Sequence, residues 1–552
     1  MAQRADLYLH RQSPVVQSVG GVSRPAVWSL VDHGGKALVC DLGLVPRHTL
    51  GGICAYRACI AHDDTAQLML EGILTGIATA LTLQNVLWVA FGCLAGTLIG
   101  MMPGLGPISA IALMIPVSYS LDPTGGLIMM AGVYYGAVFG GSTSSILINA
   151  PGVASTVATS FDGYPMARDG QAGRALAIAA YASFFGGTVG ALILLMFASS
   201  LAAVALHIQS AEYAALVLFA MTCVVVFAQP KERLASLTTL LLGLMLGTVG
   251  TDPMGGAQRL TLGLLELSDG IPFVLLVMAT FALAEAFRLA LGEPQAPQGA
   301  FSMRDLLIPM SLIRRLVRVA SRSSVLGFII GVMPGAGATL ASFFAYDLEK
   351  RVGDGSREAG VTAPEAANNA ASTGSFVPLL SLGVPGSGTS AVLLGVMLAY
   401  GLQPGPTLVT DQPEIFWGII VSMYVGNVFL LAMNLPLIPY LARIVSLPQK
   451  LLIPLVIAFS LLGVLLTTFS IFDLALMLLL ALGATVLRGF GFPLAPLLLG
   501  FILSGLFEEN LQRALLLSDG DFAYLLDRPV ALGILLMNAA ICLLPLWNRS
   551  ES

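Results

Sequence analysis

The stretch Gly-Met-Met-Pro-Gly-Leu-Gly at Gly100–Gly106 interrupts an apolar run, and Gly-Val-Met-Pro-Gly-Ala-Gly interrupts another at Gly331–Gly337, 231 residues later. Proline lacks an amide donor and glycine disfavours helix, so each stretch frees backbone polar groups. Lipid cannot satisfy these groups, and broken backbone at membrane depth must therefore line protein or a water-filled cavity. Paired breaks in two halves of a membrane protein indicate the binding site of a transporter.

The composition places most of this chain in lipid. Of its 552 residues, 56% are hydrophobic and 10% are charged, whereas soluble domains contain about 25% charged residues. Apolar runs long enough to span a bilayer recur from Asn85 to Trp547. The sequence therefore predicts an all-α polytopic membrane protein with about 10–12 transmembrane segments, several of them broken or re-entrant.

The sequence gives little support to other functional classes. It contains no Walker A motif, no HExxH and no CxxC pair among its six cysteines, and it has no arginine stripe for nucleic acid. An intramembrane serine protease needs a base beside its serine, and His207 is the single histidine beyond residue 68. We predict no enzymatic activity, no catalytic residue, no metal site, no cofactor and no nucleic-acid partner.

Residues 1–68 differ from the rest of the chain. They hold four of the five histidines and no apolar run of membrane-spanning length. Membrane-type sequence begins at Met69. We expect residues 1–68 to be a non-homologous or mis-called extension and Met69 to be the true start; a disordered cytoplasmic tail is the alternative.

From residue 69 the chain looks duplicated. A second pair of breaks, Asn149–Gly152 and Val384–Ser387, contains Pro-Gly steps 234 residues apart. The prediction is a first repeat over 69–291, a basic cytoplasmic linker over 292–322, a second repeat over 323–547 and a tail over 548–552. The arginines of the linker place it in the cytoplasm by the positive-inside rule. We expect the repeats to be inverted.

Two shorter segments carry their own predictions. Ile108–Ser120 is apolar but too short to span, and it reads as a half-helix. The segment that follows the second break is predicted to be a polar loop from Asp162 to Arg174. Its charged residues, which also include Arg168 and Asp169, are expected to be solvated or to form ion pairs beside a gate.

Hydroxyl and carboxamide side chains surround the breaks and bind carboxylates or small cations without a permanent buried charge. A helix that starts after Pro-Gly directs its N–H groups at an anion, and the carbonyls before it can hold Na+. The residues predicted to contact substrate or ion are Ser142, Thr143, Asn149, Asn368, Asn369, Ser387 and Thr389. The residues predicted to shape the broken backbone are Pro103, Gly104, Gly106, Pro151, Gly152, Pro334, Gly335, Gly337, Pro385 and Gly386. The alternative is that the small residues pack helices and the hydroxyls bond to their own helix.

Glu365 lies three residues before Asn368, on the same helical face. We interpret it as a cap of a helix N-terminus whose first turn contains Pro364, with coupling-ion binding as the alternative. No acidic residue stands deep in an apolar span as an obvious proton carrier. This favours Na+ slightly over H+ as the coupling ion.

The motifs together resemble those of a known family. Gly96–Pro107, Asp162–Pro165, Gly170–Gly173, Ala363–Ala370, Gly383–Gly386 and Gly401–Pro406 are similar to the signatures of the large membrane subunit of tripartite tricarboxylate transporters, the TctA family. The resemblance covers roughly residues 70–504. Met101–Met102 and Gly388 depart from the residues common in the family, but neither removes a polar group.

The resemblance implies a binding-protein-dependent secondary carrier of citrate-like di- and tricarboxylates in the bacterial inner membrane, driven by Na+ or H+. Its partners would be a small TctB-like membrane subunit, a periplasmic TctC-like solute-binding protein and membrane lipid. A passive channel and a membrane receptor for the binding protein are the alternatives. If Asn369 belongs to the site, Asn369→Ala should reduce transport while the protein still inserts and folds.

Overall fold

The computed structural model divides the chain into two units, Met1–Ala66 and Gln67–Ser552. The structure describes residues 30–31, 37–38, 69–102, 105–149, 151–205, 208–228, 230–252, 255–291, 308–335, 337–353, 355–444 and 449–547. In the first unit, the described residues form the strands β1 (Leu30–Val31) and β2 (Ala37–Leu38), which pair antiparallel. The predictions for the extension and for the tail over 548–552 otherwise lie outside the described residues.

The described residues of the second unit are helical apart from turns and a small hairpin between β3 (Gly250–Thr251) and β4 (Gln258–Arg259). The helices before residue 300 are α1 (Met69–Ala80), α2 (Leu83–Gly100), α3 (Pro107–Ser118), α4 (Pro123–Ile148), α5 (Val157–Met166), α6 (Ala172–Ala205), α7 (Ser210–Val226), α8 (Arg233–Gly247), α9 (Phe273–Val277) and α10 (Ala284–Leu291). The helices after it are α11 (Met310–Val332), α12 (Gly337–Val352), α13 (Arg357–Gly374), α14 (Phe376–Leu382), α15 (Gly388–Ala399), α16 (Leu408–Asp411), α17 (Pro413–Ile444), α18 (Gln449–Thr468), α19 (Ile471–Gly489), α20 (Ala495–Leu517), α21 (Tyr524–Asp527) and α22 (Pro529–Trp547).

Many of these helices suit a membrane. Within the described ranges, five helical stretches are long and apolar enough to cross one, and further apolar helices of 10–17 residues accompany them. The expected half-helix is one of the short ones, because α3 has only 12 residues. The prediction of an all-α polytopic membrane protein is confirmed.

Two helices form the centre of the unit. Every residue of α4 from Gly125 to Leu147 is buried, and so is every residue of α13 from Ala359 to Gly374. The helix α4 is largely apolar, as a helix buried on all sides should be. The helix α13 is built from small and polar residues, and its polar side chains need partners inside the protein.

Glycine allows α2 to lie directly against α4. A methyl group on Gly96 would stand 2.2 Å from the carbonyl oxygen of Val133, and one on Gly100 would stand 2.3 Å from that of Ala137. Only a residue without a side chain permits such an approach between helix backbones.

The same contact occurs between α11 and α13. A methyl group on Gly327 or on Gly331 would stand 2.3 Å from the carbonyl oxygen of Ala367 or Ala371, respectively. These residues follow their counterparts in α2 and α4 by 231 and 234 positions, the two offsets that separate the sequence breaks. The helix pairs therefore correspond in their contacts. The repeat boundaries and the inversion stay predictions.

Two predictions about loops are wrong. The helix α11 begins at Met310, so the second part of the predicted linker over 292–322 is helical. Asp162 and Pro165 lie inside α5, which continues through a π-helical turn at Ala167–Gln171 into α6. Long basic side chains can lie along a helix and keep their charges at the interface, and composition therefore did not distinguish helix from loop.

The replacement Gly331→Ala should destabilise the folded protein by about 1–3 kcal/mol, because its methyl group would overlap the carbonyl oxygen of Ala371. Gly483→Ala in α19 is the matched control, since no atom lies within 4 Å of its methyl group, and alanine is the better helix former. Thermal unfolding of both variants in detergent measures the difference. Equal midpoints for the two would contradict the close packing of α11 on α13.

Candidate functional site

All four sequence breaks reach one cavity of about 720 Å³. Gly106 and Gly152 line it from the first half of the second unit. Gly335, Gly337 and Ser387 line it from the second half. Broken backbone thus faces a shared interior space, as the physics of lipid requires. The cavity has a size typical of small-molecule sites.

Four helices begin at the wall of this cavity. Lining residues include the first residues of α3 and α12, and the same is true of α15 and α20. The first N–H groups of a helix have no partner within it and carry a partial positive charge. Their convergence makes the cavity favourable to an anion.

Two charged side chains line the cavity, one of each sign. Arg488 lines it and pairs with Glu285, which is 1% exposed and also pairs with Arg288. The two guanidinium groups carry one positive charge more than Glu285 can balance, and the Glu232 carboxylate at the cavity offsets that charge. Glu232 is the acidic residue among the lining residues.

Two of the predicted contact residues line this cavity, Ser387 and Thr389. Ser387 caps α15, because its hydroxyl accepts a hydrogen bond from the backbone N–H of Ser390 at 3.2 Å. Ser155, which the sequence reasoning missed, also lines the cavity, and its buried hydroxyl has no hydrogen-bond partner among the described residues. Such a hydroxyl suits a polar ligand.

A second polar cluster surrounds Glu365 in the middle of α13. Its carboxylate is 0% exposed and accepts hydrogen bonds from the hydroxyls of Ser142 at 2.7 Å, Thr159 at 2.5 Å and Ser183 at 2.9 Å. The three donors come from α4, α5 and α6. Four helices thus meet at one buried acidic side chain.

The interpretation of Glu365 as a helix cap is wrong. Ser356 is the cap of α13, and Pro364 lies inside the helix rather than in its first turn. The sequence reasoning found no acidic residue deep in an apolar span, whereas the structure buries Glu365 in the middle of a helix of small and polar residues. The residues around Glu365 are small and polar, and such a sequence does not indicate burial. Glu365 is buried because α13 packs among other helices.

The two asparagines of α13 have different surroundings. The side-chain amide of Asn369 donates to the backbone carbonyl of Glu365 at 3.0 Å. Asn368 is 0% exposed, and neither polar atom of its carboxamide has a partner in the described part of the chain. A buried amide without partners is costly unless a ligand or water pairs with it.

The remaining predicted contact residues are divided between different places. Thr143 lines a small cavity beside Ser142 and Ser183. Asn149 caps the C-terminus of α4 in the left-handed region with φ 52°, is exposed and is not among the residues that line either cavity. Pro151, Pro334, Pro385 and Gly386 lie in the breaks, whereas Pro103 and Gly104 are outside the described residues.

The charged segment after the second break forms ion pairs with the second half of the unit. Asp162 contacts Lys350 at 2.8 Å, and Arg174 contacts Glu358 at 2.8 Å. Asp169 contacts Arg357 at 2.5 Å. These contacts agree with the expected ion pairs, although the residues belong to helices and a π-helical turn.

Sequence reasoning therefore missed four polar residues of these sites: Arg488, Ser155, Thr159 and Ser183. Arg488 carried a usable signal, because a charge at the end of a long apolar run is a functional candidate by default. The three hydroxyl residues carried none that separates them from ordinary packing residues. In the described ranges no group of three or more His, Cys, Asp or Glu residues could hold a metal ion.

The variant Asn368→Leu should stabilise the folded protein by about 1–3 kcal/mol, since it removes two unpartnered buried polar atoms, and it should abolish transport. Asn369→Leu is the matched comparison and should be destabilising, because it breaks the hydrogen bond to Glu365. Thermal unfolding and an uptake assay measure the two effects. A destabilised Asn368→Leu variant would show that its carboxamide has a structural partner.

Comparison with known proteins connects these features to a family. A model of the tripartite tricarboxylate transporter TctA family matches residues 86–499. An uncharacterized 52.8 kDa protein in the TAR-I ttuC' 3'region of Agrobacterium vitis is 40% identical over 487 residues, 86% of this chain and 97% of the relative. An uncharacterized protein in the TAR-II ttuC' 3'region of the same organism is 40% identical over 229 residues, 40% of this chain and 94% of the relative. No solved structure matches the chain significantly.

Proposed function

Because the chain belongs to the tripartite tricarboxylate transporter TctA family, a family of transporter components and not of enzymes, we propose that it is the large transport subunit of a binding-protein-dependent secondary transporter. Its substrates are citrate-like tricarboxylates and dicarboxylates. A Na+ or H+ gradient drives uptake across a bacterial inner membrane.

The observation that supports this proposal best is the cavity of about 720 Å³ where the four breaks meet. Helix N-termini and Arg488 make it favourable to anions, and broken helices at such a site are a recurring feature of secondary transporters.

A bound carboxylate would accept hydrogen bonds from the first N–H groups of α12 and α15 and from the hydroxyls of Ser155, Ser387 and Thr389. Arg488, which also lines the cavity, would contribute a positive charge. Bonds of N–H groups and guanidinium groups to carboxylates are stronger than neutral ones. Several donors on separate helices suit a substrate with more than one carboxylate.

The family is part of a three-component system, and we propose a small membrane subunit and a periplasmic solute-binding protein as the partners. The binding protein delivers the carboxylate, and this subunit provides the path. Alternating access would require the two halves of the second unit to move against each other, as in other transporters built from repeats. The ion pairs from Asp162 to Lys350 and from Arg174 to Glu358 join these halves and would break and re-form.

Uptake of labelled citrate and a panel of other carboxylates into proteoliposomes tests this function, with the small subunit and the cognate binding protein present. A sodium gradient, a proton gradient and no gradient are compared. Accumulation above the outside concentration that needs a gradient and the binding protein is the expected result, because a carrier couples the two fluxes.

Two other results would identify the alternatives. Equilibration without any gradient is the behaviour of a passive channel. Capture of the loaded binding protein with no flux of any carboxylate is the behaviour of a receptor. Either one would overturn the carrier proposal.

In the same assay, Arg488→Gln should raise the substrate concentration for half-maximal uptake at least about tenfold, because it removes the positive charge beside the cavity. Arg513→Gln is the control, since Arg513 pairs with Glu509 on the surface of α20 and does not line the cavity. Equal uptake by both variants would exclude Arg488 from anion binding.

A further inference from the structure

Glu365 is a buried carboxylate without a cationic partner. No Lys, Arg or His nitrogen of the described residues forms an ion pair with it, and its contacts are the three hydroxyls of Ser142, Thr159 and Ser183. Other buried acidic residues of the second unit do have such partners: Glu285 pairs with Arg488, and Glu212 pairs with Arg528. An isolated charge in a membrane interior is expensive, so Glu365 either holds a proton or is balanced by a cation from elsewhere.

The hydroxyls around Glu365 are turned away from their own helices. Buried helical serines usually bond to the carbonyl of the preceding turn, as Ser324 does to Ala320 at 2.6 Å and Ser372 to Asn368 at 2.9 Å. Ser142 and Ser183 instead both point to the Oε2 atom of Glu365. Oxygen atoms from α4, α6 and α13 therefore meet at Oε2 of Glu365.

A small cavity of about 10 Å³ lies beside these two serines. Its polar lining residues are Ser142, Thr143, Ser183 and Asn434. The side-chain amide nitrogen of Asn434 donates to the carbonyl of Leu430 at 2.8 Å, which directs the carboxamide oxygen away from that bond. The space is about that of a single water molecule or a small ion.

We propose that this cavity binds one sodium ion, coordinated by the hydroxyl oxygens of Ser142, Thr143 and Ser183 and the carboxamide oxygen of Asn434, with the carboxylate of Glu365 as its counter-charge. The site shares no lining residue with the cavity of about 720 Å³ where the four breaks meet, which we call the anion cavity. Its role as the coupling-ion site rests on the proposed function, whereas the binding of sodium does not.

The chemistry of the site favours sodium over other cations. All the ligands are oxygen atoms, as hard cations require. A single carboxylate balances one positive charge, whereas Ca²⁺ sites usually contain several carboxylates and six to eight ligands. A proton carrier would need the carboxylate alone and not a second set of oxygen atoms around an adjacent space.

The position of the site explains how an ion could influence the substrate cavity. Ser142 lies on α4, and Glu365 lies on α13. Ser372, two turns further along α13, lines the anion cavity. An ion bound between α4 and α13 would therefore fix the helix that carries part of the wall of the other site.

Sodium binding to the purified full-length protein tests this proposal without substrate or partner subunits. Thermal unfolding in detergent is followed during titration with sodium chloride, against choline chloride at equal ionic strength. A ligand that binds only the folded state raises the unfolding midpoint. We expect sodium, and not choline, to raise it, and we expect direct binding of radiolabelled sodium with saturation.

Three variants locate the site. Glu365→Gln keeps the shape of the side chain and should weaken sodium binding at least about tenfold, since it removes the counter-charge. Ser183→Ala removes one ligand, leaves the carboxylate in place and should also weaken binding, which provides a second measurement if the first variant folds poorly. Ser324→Ala is the control, because this buried hydroxyl bonds to its own helix, away from the cavity, and it should bind sodium as the wild type does.

Absence of saturable sodium binding to the folded wild-type protein would overturn the proposal, and so would unchanged binding in both Glu365→Gln and Ser183→Ala. Loss of proton-driven uptake in Glu365→Gln, without any sodium binding by the wild type, would overturn it in favour of a proton carrier. Failure of uptake with intact sodium binding would instead count against the transport function alone.

Discussion

The structure depends on the cost of exposing backbone polar groups to lipid. A helix broken by proline and glycine at membrane depth leaves N–H and C=O groups without partners, and a bilayer offers none. The four breaks of this chain are therefore gathered at one internal cavity, where ligand and water can reach them. The positive ends of the helices that start there give the cavity its preference for anions.

Close helix packing makes that gathering possible. Gly96 and Gly100 bring α2 against α4, and Gly327 and Gly331 bring α11 against α13 in the same way. A helix pair held by backbone contact is rigid, and its end can hold a break in a defined position. The central helix α13 can then consist of polar residues, because its neighbours α4, α5 and α6 provide hydroxyls at the depth where Glu365 needs them. The anion cavity and the cluster around Glu365 both depend on α13, which supplies Ser372 to the first and Glu365 to the second.

Much of the fold could be predicted because its signals are local. Composition indicates a helical membrane protein, proline and glycine mark the breaks, and a half-helix follows from the length of its apolar run. The assignment of loops failed for charged segments, because a charged composition occurs both in loops and in helices with ion partners. The segments around Asp162 and Arg322 are helical although they are charged, because neighbouring helices provide ion partners, Lys350 for Asp162 and Glu349 for Arg322. The role of Glu365 could not be read either, since the cap of α13 lies nine residues earlier, at Ser356.

The sequence by itself determined the class of protein, the family and the four places where helices break, because each depends on residue types within a short stretch. Only the tertiary structure decided which polar residues meet. It divided the predicted contact residues between the anion cavity, which receives Ser387 and Thr389, and the cluster at Glu365, which receives Ser142. It also brought in Arg488 from a distant helix. The reason is physical: a binding site is made by side chains from separate helices, and their distances depend on packing that no local pattern records.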